Sequence, residues 1–104
     1  MTDTDDQQQQ PDVLEAYWDR DQVEALFADL KLGAKVTQVQ VRTGAVSNRP
    51  QDSVMSLDEA REMLHDGVAK AIQIYYEYDG ETWCDTLMPL PDTIRIVRTT
   101  VPQR

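Results

Sequence analysis

The sequence has one cysteine, one histidine, four scattered glycines and few basic residues. A single Cys excludes an internal disulfide framework and a Cys-rich zinc site, and it fits a reducing cytoplasm. One His without a second Cys makes a poor nitrogen–sulfur metal site. The glycines at 33, 44, 67 and 80 build neither a phosphate-cradling loop nor a Gly-x-Ser-x-Gly elbow. No apolar run approaches the ~18 to 20 residues needed to cross a bilayer. The N-terminus, Met1-Thr2-Asp3-Thr4-Asp5-Asp6, is acidic and has no apolar signal region. Ten Lys+Arg face 19 Asp+Glu, a net charge of −9 that repels phosphates and argues against nucleic acid as a partner. With 104 residues there is room for one core. These absences leave no expected cofactor, metal, catalytic residue or membrane partner.

The acid is unevenly spread. Residues 1–29 sum to −8 and residues 30–104 to −1, while Thr93–Arg104 holds three Arg and no acid. Residues 1–10, ending in four Gln, offer nothing to offset ordering entropy and are expected to form a disordered tail ahead of one domain over 11–104.

Pro11 suits a first helical turn, and Val13, Leu14 and Tyr17 recur at helical spacing, which predicts a short helix over 12–18. Asp21 and Glu24 resemble a capping box before Val23, Leu26, Phe27 and Leu30, an amphipathic helix closed by a left-handed Gly33. Lys35–Thr43 alternates as a strand, with Thr37, Val39 and Val41 on one face and Gln38, Gln40 and Arg42 on the other. Residues 44–55 read as a loop long enough to be mobile. Ser56 and Glu59 cap a second helix whose inner face is Leu57, Ala60, Met63 and Leu64. Gly67 and Val68 supply a Schellman ending.

Strands follow at 69–78, 81–88 and 93–100, the first two joined by Asp79-Gly80, a strong hairpin signal. The resulting order is α-α-β-α-β-β-β. It predicts an α+β fold: a four-stranded mixed sheet in which a C-terminal antiparallel meander takes one further strand through a helical crossover, with the helices on one face.

Asp85, inside Trp83-Cys84-Asp85-Thr86-Leu87, is the most informative acid, because strand interiors disfavour Asp. A four-residue turn at 89–92 would set Asp85 opposite Ile96 and Thr86 opposite Arg95. An ion pair between Asp85 and Arg95 or Arg98 is the plain structural explanation, and a ligand-site carboxylate is the functional one. Three positions separate the two arginines, which therefore point to opposite faces.

Register decides the surroundings of Asp85. A two-residue turn sets Tyr76 opposite Trp83 and puts Asp85 with Ile72 and Ile74; a glycine bulge sets Tyr75 opposite Trp83 and puts Asp85 with Gln73 and Tyr75. The second choice gives a cleaner apolar face (Ile72, Ile74, Tyr76, Cys84, Met88), with Cys84 buried and inert. It leaves Tyr75, Trp83 and Leu87 on the face away from the helices. His65 falls in the last turn of its helix, where a cation favours the dipole.

The leading expectation is a non-enzymatic protein-interaction or regulatory module, with a protein partner or a second copy meeting Tyr75, Trp83, Asp85, Leu87 and Arg95. One alternative is a small-ligand-binding protein or simple enzyme with a site around Asp85. Another is docking of the acidic N-terminal segment on a basic partner, or intramolecularly over the basic 31–56 segment and the C-terminal strand.

Overall fold

Alternation decides the chain's first element. In Val13–Trp18, Leu14, Ala16 and Trp18 share one side and Val13, Glu15 and Tyr17 the other, and the computed structural model forms a strand there, β1. The structure describes residues 13–44 and 55–102. Its further elements are α1 (Arg20–Gly33), β2 (Lys35–Arg42), α2 (Leu57–His65), β3 (Ala71–Tyr78), β4 (Glu81–Pro89) and β5 (Ile94–Thr100). All five strands join one sheet in the order β1-β5-β4-β3-β2, with every neighbouring pair antiparallel.

This overturns the four-stranded mixed sheet and the order α-α-β-α-β-β-β. The helix expected over 12–18 is a strand because six residues cannot repay helix nucleation, whereas a strand can pair with the open side of β5. The parallel crossover also fails. Arg42 pairs with Ala71, and the Lys70 N–H donates to the Arg42 carbonyl at 2.7 Å, so the chain leaves β2 and re-enters at β3 at the same end of the sheet. The excursion is out and back, which makes the neighbours antiparallel.

Local signals set the helix ends. Asp19, not Asp21, caps α1: its Oδ1 accepts from the Gln22 N–H at 2.9 Å, and Gln22 Oε1 accepts from the Asp19 N–H at 3.0 Å. Gly33 is the last helical residue and has no positive φ; the cap is extended Ala34. Ser56 and Glu59 form the expected box on α2. Gly67, at φ +77°, donates to the Leu64 carbonyl and Val68 donates to that of Met63, a Schellman pair.

Both helices lie on one face. Val23, Leu26, Phe27 and Leu30 of α1 and Ala60 and Leu64 of α2 are buried with Val39, Val41, Ile72, Ile74, Tyr76, Leu87, Ile94 and Ile96 of the sheet. The helices run antiparallel, with Lys31 paired to Asp58 near one end and Glu24 to Arg61 and His65 near the other. A bulge at Thr37 shifts the register between Val36 and Gln38. It lets Val36 pack against the same core as Val39 and Val41, which strict alternation forbids, and leaves Thr37 exposed instead of aligned with them.

Asp79 (φ 54°) and Gly80 (φ 82°) are both left-handed, as a two-residue type I′ turn requires. Tyr78 therefore pairs with Glu81, and Tyr76 with Trp83, so the glycine-bulge register is not adopted. Among the described residues no helix is long and apolar enough to cross a membrane. The tail expected over 1–10, the Pro11 start and positions 45–54 of the 44–55 loop lie outside the described residues.

The two glycines make opposite predictions. Gly33→Ala meets open space at an ordinary φ and should raise stability by up to about 0.5 kcal/mol. Gly67→Ala, forced to a positive φ, should lower it by about 1 kcal/mol. Urea denaturation of both variants checks the pair.

Candidate functional site

The two-residue turn carries Asp85 into the helix-side face, opposite Ile74 on β3 and Arg98 on β5. Asp85 is 0% exposed, a burial that an unpaired carboxylate could not sustain. Arg98 supplies the charge through two parallel hydrogen bonds, Nε to Oδ1 and Nη2 to Oδ2, each 2.9 Å. The Tyr76 hydroxyl adds a third, donating to Oδ1 at 3.0 Å.

Burial, then the neighbouring Asp85 charge, pushes the Tyr76 phenol well above its ordinary range, with Arg98 partly opposing. The phenol stays protonated and keeps donating. The hydrogen bonds to Asp85 raise Arg98 further. Chemically the cluster is a closed, saturated ion pair: the carboxylate has no face open to a substrate, and only the Arg98 side chain, 30% exposed, reaches solvent.

The sequence-derived set therefore divides between the two faces. Trp83, Asp85 and Leu87 are on the helix side, where Leu87 is fully buried and Trp83 packs against the core. Tyr75 and Arg95 are on the open side. Cys84, expected among the helix-side residues, is also on the open side, yet only 7% exposed. Burial raises its thiol pKa, against hydrogen bonds from Thr86 and Tyr75, so it carries little thiolate.

Arg95 pairs with Glu15 across β1 and β5 and approaches Met88 Sδ at 3.9 Å. Of the N-terminal segment, the described Val13–Trp18 pairs with the C-terminal strand as a neighbour and not as a helix laid over it. The turn after β4 occupies 90–93, so Asp85 faces Arg98 two positions beyond the expected Ile96, and Thr86 faces Val97 in place of Arg95.

Two features had no counterpart in the sequence reading. The first is Tyr76 as a ligand of Asp85. The second is a shallow concavity of about 190 Å³ on the open face, lined by Gln40, Arg42, Gln73, Thr86 and Met88 among others. Both follow from the turn register: the type I′ parity puts Tyr76 beside Asp85 and sends Gln73, Thr86 and Met88 to the other side.

The helix pair holds the other polar cluster. Arg61 Nε donates to Glu24 Oε1 at 2.7 Å, and His65 Nε2 lies 2.6 Å from Glu24 Oε2. With Nε2–H donating, Nδ1 is left to accept from Arg20, 3.5 Å away. Partial burial raises the Glu24 pKa, but the hydrogen bonds from Arg61 and His65 and their charges outweigh it, and the net shift is downward.

No family model matches the chain, and no curated protein or solved structure matches it either.

Removing either member of the buried pair strands the other. Asp85→Leu and Arg98→Met should each cost about 3 kcal/mol, while the double variant recovers most of the loss; a denaturation cycle over the four proteins measures the coupling. The lowered Glu24 pKa stabilises the fold above the ordinary value of 4.5 and loses that effect as pH falls through the folded-state value. Glu24→Gln should therefore cost about 1 kcal/mol or less at neutral pH, after solvent screening, and nothing in strong acid. Melting curves at several pH values check it.

Proposed function

We propose that the protein is a non-enzymatic interaction module that receives a protein partner on the open face of its sheet. The carrying observation is the one-sided placement of the helices. The opposite face keeps Gln40, Gln73, Tyr75, Thr86, Met88 and Val97 half-buried around a shallow concavity, with no layer of the described structure over it. Amides, hydroxyls, a thioether and a phenol over a flat β surface, with Arg42 beside them, suit a mixed polar and aliphatic partner surface.

Among the described residues, the clustered titratable groups are engaged in structural pairs. Asp85 is enclosed by Arg98 and Tyr76, and Glu24 and His65 brace the helices. The arrangement therefore favours the interaction reading over a ligand or catalytic site at Asp85. A cytoplasmic setting belongs to this reading, since the buried Cys84 is free.

The test is amide chemical-shift mapping of the isotopically labelled full chain against fractionated lysate. Shifts should cluster on Gln73, Tyr75, Thr86, Met88 and Val97. Thr86→Arg should abolish them while moving Tm by no more than about 2 °C. Shifts converging on Asp85 and Arg98, or no shifts on this face, would overturn the proposal.

A further inference from the structure

Among the described residues the sheet ends in two unlike edges. β2 is guarded: Lys35 and Arg42 stand at its ends, Thr37 bulges, and Gln38 and Gln40 alternate along it. β1 has none of these devices. It is Val-Leu-Glu-Ala-Tyr-Trp, without Lys, Pro or a register shift, and among the described residues its strand neighbour is β5 alone. Val13, Leu14 and Tyr17 are 65%, 48% and 58% exposed. Its one charged side chain, Glu15, is paired with Arg95 of the same chain.

We propose that the protein self-associates through this edge, a second copy adding its own β1 antiparallel so that two sheets become one. This goes beyond the open-face reading and does not depend on it.

The strand selects a second copy through its self-complementarity. A twofold axis perpendicular to the sheet keeps each face continuous, so it must pass beside a residue and not between two. Centred on Glu15, it sets Glu15 against Glu15 of the partner subunit, a like-charge pair. Centred on Ala16, it sets Leu14 against Trp18 of the partner subunit on the helix side and Glu15 against Tyr17 of the partner subunit on the open side. Apolar then meets apolar, and each carboxylate meets a phenol hydroxyl. The Ala16 register is the one adopted.

Each copy carries −9, so the dimer forms against net repulsion and tightens as salt rises. Docking of the acidic N-terminal segment on a basic partner would weaken instead.

Sedimentation equilibrium of the full chain at about 100 μM, in low and high salt, reads the association. The expected result is twice the chain mass, favoured by salt. Tyr17→Glu adds two symmetric like-charge pairs with Glu15 and should weaken the dimer about tenfold, whereas Tyr17→Phe, which adds no charge opposite Glu15 or Arg95, should weaken it far less. Within its own chain Tyr17 faces Arg95 across the ladder, so the Glu variant suits the monomer fold. Backbone hydrogen exchange gives a second readout: amides of Val13–Trp18 should slow as wild-type concentration rises. A monomer at both salt concentrations overturns the proposal. So does a dimer that responds equally to both substitutions, or one that forms without added protection in β1.

Discussion

One carboxylate sets the terms for the sheet. Asp85 is buried among Ile72, Ile74 and Leu87, and its charge is tolerable only because Arg98 arrives on the next strand in register to clasp both oxygens, with Tyr76 donating from the strand on the other side. The three residues come from β3, β4 and β5, so any slip between those strands exposes or strands a charge. Hydrophobic burial penalises a one-residue slip, which would turn the apolar face outward, but discriminates less between registers two residues apart. The ion pair separates them, because this register is the one that sets Asp85 opposite Arg98.

That constraint allots work to the faces. The helix side is sealed by aliphatic packing around a saturated ion pair, and the open side keeps the residues of moderate polarity. The strong electrostatics of the molecule are thus spent on holding it together. What lines the open-face concavity is amide, hydroxyl and thioether with Arg42 beside them, a surface suited to contact.

How legible was this in the sequence? The capping box at Ser56 and Glu59, the Gly67 ending and the meander were open to reading because each depends on residues a few positions apart. So was the opposite orientation of Arg95 and Arg98. β1 was not, since Val13, Leu14 and Tyr17 fit a helical period as well as a strand, and its partner lies some 80 residues away at the far end of the described chain. The hairpin register was misjudged for a specific reason: keeping a lone carboxylate out of the core is sound for β3 and β4 taken alone. The arrival on β5 of Arg98, one of the two arginines the sequence offers as a partner of Asp85, reverses it. The site residues inherited the error, which placed Trp83 and Leu87 on the wrong side of the sheet.

The position of β5 bears on how the protein is made. In chain order it is the last of the described strands to be synthesised, yet it lies between β4 and β1, the first of them. Until it is released, β1 has no neighbour and Asp85 no counter-ion. Folding must therefore wait for the C-terminal strand to slot into a gap, a long-range closure of the slow kind, and a nascent chain stalled before residue 94 exposes an unpaired apolar strand to its surroundings.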